Sequence, residues 1–201
     1  MARKQGYAML NQSVRGEVLS HEPMDRHTAY RIGGPADLMI SPDDREDLRT
    51  VLRCLNEYDL TGLFLGKGSN LLVSDQGIRG VVVRLPRFCQ GIQFDGNKVY
   101  VGSAVSLKRL VDEGQTRHLG GIEFLAGIPG TVGGALEMNA GAFGEEIGRM
   151  VREIQVITPK GELIRLDRSR LIFSYRELAI PKGSLIFKVK FRLNRERLHQ
   201  H

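Results

Sequence analysis

Residues 127 to 144 read GIPGTVGGALEMNAGAFG, a segment rich in glycine and alanine that carries few large side chains. A core element built this way would lose packing area and conformational entropy. A segment that lays its backbone against a flat ligand needs small residues, because they permit close approach. The segment therefore predicts a ligand surface, although a glycine-rich helix packed closely on a sheet would have the same composition. Its Pro129-Gly130-Thr131 portion is typical of a loop that enters a helix, where N–H groups would point toward an anion.

A second glycine cluster, Gly66-Lys67-Gly68-Ser69-Asn70, follows an apolar run. Successive N–H groups in such a loop can form a concave nest for phosphate oxygens, and Ser69 and Asn70 add side-chain donors. The loop lacks the spacing of a P-loop, and apolar residues rather than a helix follow it. A phosphate site and a tight structural turn are both compatible with this pattern.

A third candidate, Phe173-Ser174-Tyr175-Arg176, places an arginine beside a tyrosine in a segment without glycine. Such an arginine could clamp a carboxylate or a phosphate. A plain surface arginine is the alternative interpretation of the same residues.

The turn signals and apolar runs predict an α+β fold in two parts. The first part is a small βαββ-like unit over about residues 36 to 85. Its strands are expected at 38–40, 63–65, 71–73 and 81–83, and its helix is expected to begin at Ser41-Pro42. That helix has one apolar face, formed by Leu48, Val51, Leu52 and Leu55.

The second part is expected to be a larger antiparallel α+β unit. The sequence predicts hairpins around Asp95-Gly96 and Pro159-Lys160-Gly161, a helix after Ser106 and a strand over 185–193. Residues 1–20 are expected to form an N-terminal extension with a short helix, and residues 196–201 a tail. A ligand cleft is expected between the two units.

Composition excludes several classes of protein. No apolar run approaches the roughly 20 residues that span a bilayer, and no signal peptide is evident, so we expect a cytoplasmic protein without a membrane partner. The 29 basic and 23 acidic residues give a net charge of +6, but the charges are scattered and tryptophan is absent, so nucleic-acid binding is not expected. A small anionic ligand accounts for the surplus equally well. Cys54, Cys89 and the histidines lack metal-ligand spacing, so we expect reduced thiols and no metal.

In this order, the motifs resemble the UDP-N-acetylenolpyruvoylglucosamine reductase (MurB) family of peptidoglycan synthesis. The resemblance covers about residues 17 to 193. Its segments are HTAYRIGGPAD at 27–37, GKGSNL at 66–71, GIRG at 77–80, GIPGTVGG at 127–134, MNAGA at 138–142 and FSYR at 173–176.

The resemblance implies a PCMH-type FAD-binding fold over residues 21–195, with subdomains of about 21–85 and 86–195 and FAD held between them. It implies that the first loop cradles the pyrophosphate and that the later segments line the flavin and its phosphates. The cofactor-binding residues it implies are Gly66, Lys67, Gly68, Ser69, Asn70, Leu71, Gly127, Ile128, Pro129, Gly130, Thr131, Gly133, Gly134, Asn139, Ala140 and Gly141.

The family activity implied is the NADPH-driven reduction, through FAD, of an enolpyruvyl UDP-sugar to UDP-N-acetylmuramate, a step of cell wall biogenesis on which cell shape and division depend. Tyr175 would contact the substrate, and Arg176 would hold the enolpyruvyl carboxylate and stabilise charge that develops there. The redox chemistry would belong to the cofactor, which the protein orients.

Two departures from the family pattern affect these expectations. The family's C-terminal substrate domain, which supplies a protonating serine and an assisting glutamate, has no counterpart after position 193, and Leu178 stands where the family has a serine. Turnover without the proton donor should stall or be very slow. The sequence thus predicts a reductase that is incomplete in this chain. The alternatives are an FAD-binding module without full turnover, a chain that needs a partner for the missing groups, and the flavin domain of another PCMH-type oxidoreductase.

Overall fold

The computed structural model describes residues 2–195, which fall into two compact units. The expected tail at 196–201 lies outside the described residues. Among the described residues, unit 1 comprises 2–88, 156–164 and 181–185, and unit 2 comprises 89–155, 165–180 and 186–195.

Unit 1 contains a four-stranded sheet with two helices. Its elements are α1 (Ala2–Ser13), β1 (Glu17–Pro23), β2 (Pro35–Ser41), α2 (Arg45–Glu57), β3 (Gly62–Leu65) and β4 (Ile78–Arg84). The strand order is β1-β2-β4-β3, in which β2, β4 and β3 are parallel and β1 is antiparallel to β2. The βαββ-like connection predicted for this unit is therefore present, with β1 as an additional strand that the sequence pattern does not predict.

The apolar face predicted for α2 is confirmed, because Leu48, Val51, Leu52 and Leu55 are all buried. The predicted start at Ser41 is wrong. The N-cap is Asp44, whose side chain accepts hydrogen bonds from the N–H groups of Glu46 and Asp47, both at 2.9 Å. A carboxylate at this position satisfies two of the unpaired N–H groups of the first turn.

The strand predicted at 71–73 is also wrong. Val73 is buried against the loop that precedes β2, whereas Leu72 is 71% exposed. The N–H of Gly34 donates to the carbonyl oxygen of Ser74 at 2.8 Å, so this stretch pairs with a loop rather than with the sheet. A short apolar run does not by itself distinguish these two outcomes.

Unit 2 contains most of a five-stranded sheet, in the order β11-β10-β14-β6-β5, together with short hairpins. Its elements in chain order are β5 (Ile92–Asp95), β6 (Lys98–Gly102), α3 (Leu107–Gln115), β7 (Leu119–Gly120), α4 (Val132–Glu137), β8 (Gly141–Ala142), β9 (Glu145–Glu146), β10 (Val151–Ile157), β11 (Leu163–Asp167), β12 (Ile172–Ser174), β13 (Glu177–Ala179), β14 (Leu185–Arg192) and β15 (Asn194–Arg195). The two predicted hairpins, the helix capped by Ser106 and the long final strand are confirmed.

Candidate functional site

The loop at 66–71 is fixed in place by the segment at 27–29. Gly68 has a φ of +62° and lies so close to the carbonyl oxygen of His27 that a Cβ would collide with it. The N–H of Ala29 donates to the carbonyl oxygen of Gly68 at 3.0 Å. Lys67 and Asn70 are exposed, whereas Gly68 is buried. Gly68 is therefore required by packing within the protein, and the outer residues of the loop face solvent.

Three exposed apolar side chains lie in the segment at 28–34 and directly after the loop at 66–71. Tyr30 is 63% exposed, Ile32 is 49% exposed and Leu72 is 71% exposed. The chain between Tyr30 and Ile32 is held outward by a tight turn, in which the buried Thr28 donates its hydroxyl to the carbonyl oxygen of Ile32 at 2.9 Å. The sequence pattern assigns none of these side chains to a site. Their local signals are the motif at 27–37, which contains Tyr30 and Ile32, and the glycine-rich loop that directly precedes Leu72.

In unit 2, the segment 127–134 presents bare backbone at its start. Gly127 is exposed, and a Cβ placed there would meet no protein atom within 4 Å. Pro129 is exposed, and Ile128 and Gly130 are half-buried. An open glycine is what a closely approaching ligand needs.

The start of α4 differs from the prediction. Thr131 is the N-cap, and its hydroxyl oxygen accepts from the N–H of Gly134 at 3.4 Å. The N–H groups of Val132 and Gly133 donate to the carbonyl oxygens of Val105 and Ser103, both at 2.8 Å. The expectation that N–H groups at this helix start point toward an anion is wrong for these three groups, because each has an acceptor within the protein.

A cavity of about 210 Å³ in unit 2 brings together residues that the sequence predicts for two different roles. Its lining residues are Asn139, Gly141, Ala142, Gly144, Glu145, Glu146, Tyr175 and Arg176. Asn139 and Gly141 come from the predicted cofactor segment, whereas Tyr175 and Arg176 come from the predicted substrate motif. Ala140, between the first two, is buried and faces away from solvent.

Tyr175 and Arg176 form the two-residue tip of the hairpin that joins β12 to β13. Tyr175 is 86% exposed, and the Arg176 guanidinium lies 5.8 Å from the centre of its ring. Within residues 2–195, Arg176 forms no ion pair, so its charge is available to an anion. Leu178, which stands where the family has a serine, is buried in β13 and offers no polar group to the cavity.

Three non-glycine residues at or beside the cavity adopt left-handed backbone conformations. The φ angles are +40° for Asn139, +56° for Phe143 and +60° for Arg176. Phe143 forms the tip of the β8–β9 hairpin with Gly144 and is 95% exposed. Positive φ is costly for a bulky residue, and such strain clusters at functional sites.

The charges at the cavity and the two thiols, which do not line it, have defined environments. Glu145 pairs with Arg149 at 2.9 Å, and Glu146 accepts a hydrogen bond from the Asn139 amide. Burial raises the pKa of Cys54 to about 11 and that of Cys89 to about 12, so both remain protonated thiols at neutral pH. No cluster of three or more potential metal ligands occurs in the described part of the chain.

Fold and sequence comparisons agree on the class of this protein. Residues 36–167 match the family described as FAD binding domain, and the chain belongs to that family. The α+β fold of PCMH type is confirmed by solved structures such as 6-hydroxy-D-nicotine oxidase from Arthrobacter nicotinovorans, with a TM-score of 0.65 at 18% identity over 91% of this chain and 43% of that one. No described helix is long and apolar enough to cross a membrane.

Within that class, the resemblance to the MurB family is confirmed. The chain is 45% identical over 188 residues to the UDP-N-acetylenolpyruvoylglucosamine reductase of Geobacter metallireducens and 38% identical over 173 residues to that of Bacillus subtilis. These alignments cover 94% and 86% of this chain but 62% and 57% of the relatives, so the chain spans about 60% of their length. The MurB structure from Thermus caldophilus has a TM-score of 0.76 and 31% identity, over 91% of this chain and 64% of that one.

Proposed function

We propose that this chain is the FAD-binding portion of a UDP-N-acetylenolpyruvoylglucosamine reductase. The observation that carries the proposal is the cavity in which the Asn139–Gly141 segment and the Tyr175–Arg176 hairpin meet. When bound, FAD would supply the hydride chemistry, with NADPH as the reductant.

The residues present fit FAD. The open backbone at Gly127 admits a flat ring system, because no side chain fills the space above it. In unit 1, the exposed edge of the loop at 66–71 supplies polar groups and Lys67 for phosphate oxygens. Gly134, which is exposed, would approach the cofactor through its Cα atom, since its N–H group has an acceptor within the protein. Gly133 is buried against Ser103 and would not reach the cofactor.

Arg176 would bind the carboxylate of the enolpyruvyl group. Its planar guanidinium can donate two parallel hydrogen bonds and stabilise negative charge that develops on the substrate. Tyr175 would pack against the sugar nucleotide from the same hairpin tip. A partner chain or a further domain would supply the proton that completes the reaction, because neither Leu178 nor the cavity wall offers a hydroxyl donor other than that of Tyr175.

An FAD-binding module without turnover is the second candidate, since the cavity wall offers no hydroxyl donor other than that of Tyr175. The two candidates differ in the response to the UDP-sugar. Both predict a flavin spectrum that survives removal of unbound FAD. Only the reductase predicts that the enolpyruvyl UDP-sugar reoxidises the flavin after anaerobic bleaching with NADPH, slowly where the proton donor is missing. A colourless protein would contradict both.

The cofactor surface is tested with Gly127→Val. A valine there meets no protein atom at its Cβ, so the fold should survive, while FAD should lose the space it occupies. We expect FAD affinity to fall at least tenfold with an unchanged circular dichroism spectrum and unfolding midpoint. Gly91→Val is the matched control, because a Cβ at Gly91 also meets nothing within 4 Å. Equal FAD affinity in both variants would refute the assignment of Gly127.

The substrate role of Arg176 is tested with Arg176→Ala. Hydrogen bonds to a charged group contribute about 1.5–3 kcal/mol, so we expect affinity for the enolpyruvyl UDP-sugar to fall roughly 10- to 100-fold. The measurement is the change of the bound flavin spectrum on titration, with FAD affinity recorded separately. Arg176→Lys keeps the charge but not the planar fork and should recover only part of the affinity. Unchanged affinity in Arg176→Ala would remove Arg176 from the site.

A further inference from the structure

We infer that Asn139 is a positioning residue whose side-chain amide holds the Tyr175–Arg176 hairpin in place, rather than a residue that contacts the cofactor through its side chain. Its Nδ2 donates to Oε2 of Glu146 at 2.9 Å and to the carbonyl oxygen of Ser174 at 3.0 Å. Its Oδ1 accepts from the N–H of Gly148 at 3.2 Å. One side chain thus links three segments that surround the cavity. The inference rests on the proposed function for what the hairpin binds.

The amide group of Asn139 has little capacity left for a ligand. An asparagine amide has two N–H donors, and both are engaged within the protein. The residue is only 2% exposed. Any contact with a cofactor would therefore come from the backbone of this segment, with the side chain directed at its neighbours.

The backbone conformation explains why asparagine suits this position. Asn139 follows the last turn of α4 with a φ of +40°, a left-handed conformation that glycine and asparagine tolerate best. Glycine would keep the backbone but lose all three hydrogen bonds. Asparagine provides the left-handed turn and the amide together.

The hairpin needs this support because it is small. Strands β12 and β13 have three residues each, and an isolated two-stranded hairpin of this size is marginal in water. The buried Leu178 supports one strand, and the Asn139–Ser174 hydrogen bond lies directly before the tip. Loss of that bond should let Tyr175 and Arg176 sample many orientations, which weakens the binding of a carboxylate that needs one of them.

The experiment compares Asn139→Asp with Asn97→Asp by hydrogen exchange and by ligand titration. Asn139→Asp removes both donors and places a second carboxylate against Glu146. Asn97→Asp is the matched control, because the Asn97 amide also donates to a backbone carbonyl in unit 2, that of Leu193 at 3.1 Å, and it does not line the cavity.

We expect amide exchange in residues 172–179 to rise at least tenfold in Asn139→Asp, while exchange in β5 and β6 stays unchanged. Affinity for the enolpyruvyl UDP-sugar should fall at least fivefold, seen as a raised KM wherever turnover is measurable, whereas FAD affinity should stay within twofold. Asn97→Asp should leave exchange in 172–179 at the wild-type rate. If Asn139→Asp does not fold, Asn139→Gly makes the same comparison, because it keeps the backbone conformation without the second carboxylate.

Two results would overturn the inference. Exchange in 172–179 that stays at the wild-type rate would show that the amide does not hold the hairpin. A loss of FAD affinity above tenfold with an unchanged hairpin would make the side chain a cofactor ligand. Failure of the wild-type chain to bind FAD or the UDP-sugar would instead refute the proposed function, and the exchange comparison would still decide the role of Asn139.

Discussion

At the scale of single residues, the buried carboxylate of Asp47 connects the N-terminal segment to α2. Asp47 is 2% exposed, and it accepts hydrogen bonds from the N–H groups of Arg15, Gly16 and Asp43, each at 2.9 Å. Three N–H donors around one carboxylate compensate for its removal from water. The side chain therefore joins the start of β1 to the first turn of α2.

Asp47→Ala should destabilise the protein by about 2–4 kcal/mol, because it leaves three N–H donors without their acceptor. The measurement is the midpoint of urea unfolding with an unchanged m-value. Glu46→Gln is the control on the same turn of α2, where the exposed Glu46 pairs with Arg49, and it should stay within about 0.5 kcal/mol of wild type. A loss below about 1 kcal/mol for Asp47→Ala would mean that water replaces the carboxylate.

At the scale of elements, α1 is attached to the sheet of unit 1 by a polar contact as well as by the buried Leu10. The hydroxyl of Tyr7 donates to Oδ2 of Asp37 at 2.9 Å, and Arg79 donates to Oδ1 at 2.9 Å. Burial and the hydrogen bond to Asp37 raise the pKa of Tyr7 to about 12. Burial alone would raise the pKa of Asp37, but the hydrogen bonds from Arg79 and Tyr7 lower it below its ordinary value.

The Tyr7 contact predicts a pH dependence. Because the folded state holds the Tyr7 proton more tightly than the unfolded state, the contribution to stability is complete below pH 10 and is lost as the pH rises from 10 to about 12. Tyr7→Phe should therefore be less stable than wild type at pH 9, and the gap should narrow by pH 11.5. Urea unfolding at both pH values measures the stability difference between the two proteins. Because both proteins contain the same buried thiols, the contribution of thiol titration cancels in that difference. A gap that is constant with pH would contradict this assignment.

At the scale of the whole molecule, the proposed cofactor should stabilise the fold. A ligand that binds only the folded state at 100 times its Kd adds about 2.7 kcal/mol to the free energy of unfolding. We expect FAD to raise the unfolding midpoint of the chain in a concentration-dependent way. Gly127→Val should show a smaller shift at the same FAD concentrations, and an unshifted wild-type midpoint would contradict FAD binding by this chain.

The sequence by itself determined the features that depend on neighbouring residues. The apolar stripe of α2 and the Asp95-Gly96 hairpin follow from local periodicity and turn chemistry, and both occur as predicted. The motifs also identify the family, because glycines and polar residues at fixed spacings can be recognised from the sequence alone.

Only the tertiary structure decided which polar groups are available and which segments meet. The N–H groups at the start of α4 donate hydrogen bonds to the carbonyl oxygens of Ser103 and Val105. Because these acceptors are distant in sequence, no local pattern could predict the hydrogen bonds. The N-cap of α2 is Asp44 rather than the predicted Ser41, although both residue types are good N-caps. Asn139 and the Tyr175–Arg176 hairpin meet because two separate turns converge on one cavity. Hydrogen bonds between distant segments depend on the packing of the whole unit, which local spacing does not encode.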